Sequence, residues 1–161
     1  MQHGTALVTG GGVRIGAAIC RALAAEGCGV VVHCRRSRTE AERLAGEIRD
    51  AGGRAWTVQG DLSLPDAAET ILEAAGRECG RAVNILVNNA AVFHKTALLD
   101  VSYDTLRHEL DANLTAPILL ARAFARRLFE HGDAPPGRIV NLLDRRVASH
   151  EPGCVPYLVS K

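Results

Sequence analysis

The sequence predicts an α/β fold with a doubly wound parallel sheet, and three observations support this prediction. Short apolar runs recur at five places along the 161 residues, and helical patterns separate them. The runs are near-continuous rather than alternating, as in strands that are buried on both faces of a parallel sheet. A glycine-rich segment links the first run to the first helical pattern. A chain of this length is predicted to form one domain, residues 1–161, with a ligand crevice at the carboxyl ends of its strands.

The predicted strands cover residues 5–9, 29–33, 55–60, 84–88 and 138–143. The first two helices each present one apolar face, and the two faces consist of Ile15, Ile19, Ala22 and Leu23 and of Ala41, Leu44, Ala45 and Ile48. Gly27 and the Gly52-Gly53 pair are placed to end these helices. Pro65 is placed in the first turn of a third helix, a position that suits proline.

Residues 102–130 predict one long helix that contains Pro117. Proline has no N–H, so it cannot donate to the carbonyl four residues earlier, which belongs to Asn113. The structural consequence is a kink, and the functional consequence is a free carbonyl that faces the crevice. The sequence leaves both interpretations of Pro117 open. Residues 131–137, with two prolines and two glycines, predict a surface loop.

The composition excludes several classes of function. A net charge of +1 gives no electrostatic reason to expect binding of nucleic acid or of an anionic membrane. No apolar run approaches the ~20 residues that span a bilayer, and no secretory signal is predicted. The five cysteines are odd in number and form no C-x-x-C pair, so we expect reduced thiols in a cytoplasmic protein and no metal site.

Residues 9–16 form the glycine-rich segment between the first strand and the first helix. Glycines such as Gly10 and Gly16 permit a tight turn and let backbone N–H groups approach a pyrophosphate, whose charge suits a helix N-terminus. Ile15 belongs to the same predicted nucleotide-binding turn. Arg14 stands where a small residue would be sterically safer, and its guanidinium is expected either to reach phosphate or substrate or to be solvated.

The end of the second strand favours NADP(H) over NAD(H). An acidic residue at this point would bind the ribose hydroxyls and repel a 2′-phosphate. The chain instead has His33, Arg35, Arg36 and Ser37 there, with no carboxylate before Glu40. Solvated basic loops are common, yet guanidinium forks and a hydroxyl suit a phosphate. We therefore predict NADP(H) as the cofactor.

Polar residues also follow the third and fourth strands. Asp61 is expected to cap the next helix, to contact the adenine, or both. Asn88 and Asn89 are poor strand formers, so they either tie neighbouring strands together or line the cofactor site. Phe93 is a flat apolar group at the crevice mouth, suited to packing or to stacking on a ligand. The predicted cofactor contacts in this region are Asp61, Leu62, Asn89 and Ala90.

Tyr157 and Lys161 are four residues apart, so on a helix they share one face. An ammonium group beside a phenol favours the phenolate and lowers the pKa of the phenol, which suits a general acid or base near neutral pH. This spacing alone is a weak signal, because two such residues are more often unrelated surface residues. Its meaning depends on the other motifs of the chain.

Together these motifs resemble the short-chain dehydrogenase/reductase family, which has a Rossmann fold. The family signatures are T-G-x-x-x-[GR]-x-G, N-N-A-[AG], an Asn in the following long helix, and Y-x-x-x-K, and here they begin at Thr9, Asn88, Asn113 and Tyr157. The resemblance implies that Tyr157 donates or accepts the substrate proton. It implies that Lys161 lowers the pKa of Tyr157 and holds the nicotinamide ribose, and that the Asn113 carbonyl anchors a relay water.

Two departures resemble the pteridine reductase branch of that family. Asp144 stands thirteen residues before the tyrosine, where the family usually has a serine that orients a carbonyl substrate, and Arg14 replaces the commoner glycine. The branch also has an H-x-x-R-S segment like the one that ends the second strand, and it stacks a pterin on an aromatic that matches Phe93. A carboxyl at Asp144 suits an amidine-like ring, because it can hold a proton between ring nitrogen and water. The alternative is a salt bridge with Arg145 or Arg146.

The resemblance implies an NADPH-dependent reductase that transfers a hydride from nicotinamide C4 to a pterin or dihydrofolate-like C=N bond. The alternatives are an NADP(H)-dependent carbonyl or 3-oxoacyl reductase, and a catalytically inactive nucleotide-binding or scaffold protein. The implied catalytic residues are Asn113, Asp144, Tyr157 and Lys161, of which the last two also contact the cofactor, and the implied substrate contacts are Arg14, Phe93, Asp144 and Tyr157.

In this family further strands and helices follow the lysine. We therefore expect that C-terminal strands and helices are missing from this sequence, and that the whole protein has about 240–260 residues. The family also implies a homotetramer or a dimer.

Overall fold

The chain folds around a parallel sheet, and the computed structural model describes residues 4–130, 136–148 and 153–161 of it. In these ranges the strands are β1 (Thr5–Val8), β2 (Gly29–Cys34), β3 (Arg54–Gln59), β4 (Ile85–Asn88) and β5 (Arg138–Asn141). They lie in the order β3-β2-β1-β4-β5, and every neighbouring pair is parallel. The order reverses between β1 and β4, which places a crevice at the carboxyl ends of these strands. The predicted doubly wound sheet is confirmed.

Helices flank both faces of the sheet. They are α1 (Arg14–Ala25), α2 (Arg38–Asp50), α3 (Ala67–Cys79), α4 (Tyr103–Leu110), α5 (Ala116–Glu130) and α6 (Val155–Ser160). A π-helical segment, Asp111–Thr115, joins α4 to α5, and short 3₁₀ turns occupy Leu98–Asp100 and Arg145–Ala148. Along the described ranges, no helix has both the length and the apolar character needed to cross a bilayer. The predicted loop of residues 131–137 falls mostly outside the described residues.

Two apolar cores lie between the sheet and its helices. On one face, Leu7 and Leu86 pack with Phe124 and the apolar sides of α3 and α5. On the other face, Val8 packs with Leu44 and the apolar sides of α1 and α2. Every residue of β1 and β2 is buried. Burial on both faces explains why these strands are near-continuous apolar runs in the sequence.

The two predicted helix faces have different outcomes. The buried face of α2 is confirmed and consists of Ala41, Leu44, Ala45 and Ile48. The predicted face of α1 is wrong in part, because Ile15 is 65% exposed and Ala22 is also exposed. The buried face of α1 includes Gly16 and Cys20 instead. A Cβ on Gly16 would clash with the carbonyl oxygen of Gly10, so α1 packs through small residues and Ile15 lines the crevice.

The predicted helix ends are close to those observed. Gly27 and Gly52 follow α1 and α2 with φ angles of +80° and +82°, which confirms their role as terminators. α3 begins at Ala67, two residues after Pro65. The proline therefore lies in the preceding turn rather than in the first helical turn, since its fixed φ suits both positions.

The long helix predicted over residues 102–130 is divided into α4, the π-helical segment and α5. Pro117 is the second residue of α5, and the π-helical segment lies immediately before it. In a regular helix a proline ring collides with the carbonyl of the residue four positions earlier. The extra residue in the widened turn relieves this collision. The widened turn contains Asn113.

Candidate active site

A crevice of about 770 Å³ lies at the carboxyl ends of the strands. Every predicted site residue except Asn113 lines it, namely Gly10, Arg14, Ile15, Gly16, His33, Arg35, Arg36, Ser37, Asp61, Leu62, Asn89, Ala90, Phe93, Asp144, Tyr157 and Lys161. A second cavity, of about 480 Å³, lies between α3 and α5 and contains none of these residues. The crevice that gathers the polar groups is the candidate active site.

The turn between β1 and α1 forms one wall of the crevice. Gly10 has a φ of +61°, a left-handed conformation that glycine adopts without strain. Arg14 has a φ of +51°, and no other non-glycine residue in the described ranges has a positive φ. This backbone conformation explains why a residue without a large side chain would be less strained at this position. No side chain caps the first turn of α1 after Val13, so the N–H groups and dipole of this helix are available to an anion.

His33 supports this turn from β2. Its Nδ1 accepts a hydrogen bond from the N–H of Gly10 at 3.3 Å, and its Nε2 lies 3.2 Å from the carbonyl oxygen of Gly60. Burial lowers the pKa of His33 to about 4, so the ring is neutral at physiological pH and Nε2 donates to Gly60. His33 borders the crevice as predicted, but both of its ring nitrogens are hydrogen-bonded to backbone groups. The positive charges at the end of β2 are therefore those of the arginines that follow.

Arg35 and Asp61 face each other across the ends of β2 and β3. The guanidinium of Arg35 lies 3.7 Å from Oδ1 of Asp61. The same oxygen accepts from the N–H of Ser63 at 3.0 Å and from its hydroxyl at 2.7 Å. Burial opposes ionisation, but these hydrogen bonds and Arg35 hold the pKa of Asp61 below its ordinary value. Asp61 thus caps a turn and not α3, whose N-cap is Asp66.

Asn88, the last residue of β4, and Asn89 tie neighbouring strands together, which was one of the two predicted roles. Asn88 Nδ2 donates to Oδ1 of Asn141 on β5 at 2.8 Å. Asn89 Nδ2 donates to the carbonyl oxygens of Thr9 and Gly10 at 2.8 and 3.1 Å. Asn89 also lines the crevice, and its role in a cofactor site stays a prediction.

Asp144 and Tyr157 form the polar centre of the crevice. The hydroxyl of Tyr157 donates to Oδ2 of Asp144 at 2.7 Å. The backbone N–H and the guanidinium of Arg146 donate to the same carboxyl at 2.9 and 3.2 Å. The salt bridge that was the alternative role of Asp144 is therefore present together with the contact to Tyr157. The hydrogen bonds from Arg146 and Tyr157 lower the pKa of Asp144, so this carboxyl is ionised near neutral pH and does not hold a proton.

The electrostatics around Tyr157 differ from the expectation. Burial and the carboxylate of Asp144 raise the pKa of Tyr157 to about 12. Lys161 Nζ donates to the carbonyl oxygen of Leu142 at 2.9 Å, and burial lowers the pKa of Lys161. In this structure burial first, and the hydrogen-bonded carboxylate second, raise the pKa of Tyr157, and the lowering by Lys161 that the resemblance implies stays a prediction. Tyr157 therefore keeps its proton at neutral pH.

Phe93 stands beside this pair. Its ring and that of Tyr157 meet edge to face, with centroids 4.8 Å apart and an interplanar angle of 89°. The guanidinium carbon of Arg146 lies 5.6 Å from the centroid of Phe93, within reach of a cation–π contact. Phe93 is 44% exposed. It thus packs on Tyr157 and also presents apolar surface to the crevice.

Asn113 does not line the crevice and is buried behind it. Its Oδ1 accepts from the N–H of Val92 at 2.8 Å, and its Nδ2 donates to the carbonyl of Val92 and to the Ser160 hydroxyl, both at 2.9 Å. The contact with Ser160 was not predicted.

The role of the Thr9 hydroxyl was not predicted either. It accepts hydrogen bonds from the backbone N–H groups of Asn89 and of the following residue, both at 3.0 Å. A threonine at the end of a strand, next to the glycine turn, is the signal for the latter contact.

Comparison with known proteins identifies the family. A family model described as short chain dehydrogenase matches residues 4–161. The chain belongs to the short-chain dehydrogenase family. The family membership that the sequence motifs indicated is therefore confirmed.

The relatives of this short-chain dehydrogenase carry names of different enzymes. The chain is 38% identical to an uncharacterised oxidoreductase of Methylorubrum extorquens over 82% of the chain and 53% of that protein. It is 32% identical to a 3-oxoacyl-[acyl-carrier-protein] reductase of Synechocystis over 97% of the chain and 62% of that protein. The chain thus spans between about half and two thirds of the length of these relatives.

Solved structures share the fold closely. FolM alternative dihydrofolate reductase 1 from Brucella suis, in complex with NADP, matches with a TM-score of 0.90 and 32% identity, over 99% of this chain and 65% of that one. A short-chain dehydrogenase from Burkholderia cenocepacia, also in complex with NADP, matches with a TM-score of 0.88 and 32% identity, over 99% and 63%.

Proposed function

We propose that this short-chain dehydrogenase binds NADP(H) in the crevice. The left-handed Gly10 and the uncapped first turn of α1 give the close approach and the donors that a pyrophosphate needs. Arg35, Arg36 and Ser37 line the same crevice and offer positive charge and a hydroxyl to a 2′-phosphate. The crevice volume of about 770 Å³ is within the range of small-molecule sites. The two NADP complexes among the related structures support this proposal.

We propose further that the protein reduces a C=N bond of a pterin or dihydrofolate-like ring. The observation that carries this proposal is the 2.7 Å hydrogen bond between Tyr157 and Asp144 beside the exposed ring of Phe93. An ionised carboxylate can accept charge-assisted hydrogen bonds from the N–H groups of an amidine-like ring, and an aromatic face suits a flat bicyclic ring. The similarity to the Brucella suis protein, which is named as an alternative dihydrofolate reductase, supports the same substrate class.

The residues of the chain would act as follows. When bound, NADPH supplies the hydride. Tyr157 supplies the proton, because a pKa of about 12 keeps the phenol protonated until a substrate nitrogen competes for that proton. Asp144 orients the substrate as an ionised acceptor, and Arg146 holds its carboxyl in place. Lys161 lines the same crevice and is the residue that would hold the nicotinamide ribose.

Loss of the proton from Tyr157 would leave a phenolate beside the carboxylate of Asp144. Two like charges at this distance disfavour each other, so the phenolate is a strong base that takes up a proton again at neutral pH. Reduction therefore starts from the protonated tyrosine, and the reverse reaction would start from the phenolate.

A carbonyl or 3-oxoacyl reductase is the second candidate. The identity of 32% with the Synechocystis 3-oxoacyl reductase, over 97% of the chain, supports it. The two candidates differ in the use of Asp144, since a ketone has no N–H group to donate to a carboxylate. A serine hydroxyl, which both donates and accepts, serves a ketone better.

Spectrophotometric loss of NADPH tests these proposals with dihydropterin, dihydrofolate and simple ketones as substrates. We expect Asp144→Ser to reduce dihydropterin turnover by about a hundredfold, because it removes the ionised acceptor that orients the ring, and misplacement by about 1 Å can cost this much. Asp66→Ser is the matched control, because Asp66 is exposed and lies outside the crevice. Ketone turnover that is preserved or raised by Asp144→Ser, without pterin turnover by the wild type, would support the second candidate. NADPH binding with no turnover of any substrate would indicate a nucleotide-binding protein.

A further inference from the structure

The backbone on both sides of Phe93 is held by side chains from the α4 region. Residues 92–94 follow β4 and belong to no helix or strand, so their polar backbone groups need other partners. Val92 exchanges two hydrogen bonds with the side chain of Asn113, at 2.8 and 2.9 Å. Oε1 of Glu109 accepts from the N–H of His94 at 2.7 Å and lies 2.9 Å from its Nδ1.

The carboxyl of Glu109 is costly in this position. Its side chain is 0% exposed, and within the described ranges its Oε2 has no hydrogen-bond partner. Burial of a carboxyl with an unsatisfied oxygen is unfavourable, and an apolar side chain of similar size is often neutral or stabilising at such a site. Packing of α4 therefore does not account for a glutamate here. Among the described residues, the hydrogen-bonding contacts of the carboxyl are the two with His94.

These contacts complete a clamp around Phe93. Glu109 and Asn113 are four residues apart, so both reach the same segment from one side. Asn113 fixes the residue before Phe93, and Glu109 fixes the residue after it. The ring so placed meets Tyr157 edge to face with centroids 4.8 Å apart. Glu109 does not itself line the crevice, so its influence on the place of the Phe93 ring passes through this segment, while its charge also contributes to the raised pKa of Tyr157.

We propose that Glu109 is a positioning residue that sets the place of the Phe93 ring beside Tyr157 and thereby the affinity for a flat bicyclic substrate. This inference rests on the proposed function of the crevice. Its physical basis is that a misplacement of about 1 Å at a substrate-contacting group has large kinetic consequences, up to about a hundredfold.

Steady-state kinetics of NADPH oxidation with dihydropterin test the proposal in the full chain. We expect Glu109→Leu to raise the KM for dihydropterin about tenfold, with the KM for NADPH unchanged, and Phe93→Leu to have a similar effect. Glu109→Gln keeps an acceptor oxygen for the N–H of His94 and should recover most of the affinity. The double variant Glu109→Leu/Phe93→Leu should be no worse than Phe93→Leu alone, because both changes remove the same placement of the ring.

A second readout does not depend on turnover. In protein labelled with fluorophenylalanine, the ¹⁹F resonance that disappears in Phe93→Leu identifies Phe93. We expect Glu109→Leu to shift or broaden this resonance, and Glu78→Leu, at an exposed position of α3 outside the crevice, to leave it unchanged. His94→Ala tests the same contact from the partner side, at a half-exposed side chain, and should shift it less in the same direction.

The two measurements separate the two proposals. An unchanged Phe93 resonance together with an unchanged KM for dihydropterin in Glu109→Leu and His94→Ala would overturn the role of Glu109, even if stability falls. A displaced resonance in a protein that turns over no pterin would support the positioning role and would contradict the proposed substrate.

Discussion

The hydroxyl of Tyr157 donates a 2.7 Å hydrogen bond to the carboxylate of Asp144, thirteen residues earlier in the chain. The carboxylate also receives two hydrogen bonds from Arg146, and it is ionised because these bonds lower its pKa. This pair distinguishes the crevice from one in which a serine faces the tyrosine. It makes the phenol a weaker acid and the neighbouring carboxyl a stronger one.

Replacement of Asp144 by Asn should lower the pKa of Tyr157 from about 12 towards its ordinary value of 10.0. The substitution removes the negative charge and the charge-assisted hydrogen bond, while burial of the phenol remains. Ultraviolet titration of tyrosinate absorbance measures this, and Tyr157→Phe assigns the signal against that of exposed Tyr103. An unchanged titration in Asp144→Asn would show that burial alone sets the pKa of Tyr157.

Arg14→Gly should stabilise the protein and weaken cofactor binding at the same time. Glycine relieves the left-handed φ of +51°, which costs a non-glycine residue about 1 kcal/mol, and the lost guanidinium removes a positive charge from the crevice. Urea unfolding and NADPH titration measure the two effects. Arg14→Ala is the matched control, because it removes the charge and keeps the strain. Equal unfolding midpoints for the two variants would contradict the strain at Arg14.

The double variant Arg35→Ala/Arg36→Ala should lose most of the preference for NADPH over NADH. A hydrogen bond to a charged group contributes about 1.5–3 kcal/mol, so the ratio of the two dissociation constants should fall by about tenfold or more. Fluorescence titration with each cofactor gives this ratio. Arg43→Ala, on the exposed side of α2 and outside the crevice, should leave it unchanged. A fall in affinity for NADPH and NADH alike would argue against a 2′-phosphate site at these residues.

His33 should make the free energy of unfolding depend on pH between about 6.5 and about 4. In this window the unfolded chain binds a proton on His33 and the folded chain does not, so stability falls as the pH falls. The full effect is about 3 kcal/mol. Urea unfolding at pH 7 and pH 4 measures it. His33→Gln cannot titrate, and its loss of stability between these pH values should be smaller by about this amount; an equal loss in both proteins would contradict a buried neutral His33.

Much of the fold follows from sequence patterns that have a single physical cause. Strands buried on both faces are near-continuous apolar runs, so β1 and β2 were predictable from the sequence pattern. The left-handed turns after α1 and α2 need glycine, so Gly27 and Gly52 marked the helix ends. The apolar face of α1 was not predictable in this way, because the close approach of Gly16 to Gly10 is a tertiary contact. That contact reverses the usual rule that the larger apolar residue is buried.

The residues that line the crevice were predictable from the sequence, and the electrostatics of the crevice were less so. Motif spacing identified the crevice lining, because the carboxyl ends of parallel strands meet at one edge. It did not show that Lys161 donates to the carbonyl of Leu142, or that burial and the carboxylate of Asp144 raise the pKa of Tyr157. Hydrogen-bond direction depends on side-chain geometry that no spacing encodes. The clamp by Glu109 was missed for the same reason, although its position four residues before Asn113 is a usable signal.

The most direct test of the proposed chemistry is the initial rate of NADPH oxidation by the wild-type protein with dihydropterin or dihydrofolate as substrate. Simple ketones are tested as alternative substrates in separate assays. Tyr157→Phe keeps the aromatic ring beside Phe93 and removes the hydroxyl that would supply the proton, so it serves as the matched negative control. We expect turnover of the pterin substrates that is lost in Tyr157→Phe. Turnover of ketones without any turnover of dihydropterin or dihydrofolate would contradict the pterin assignment.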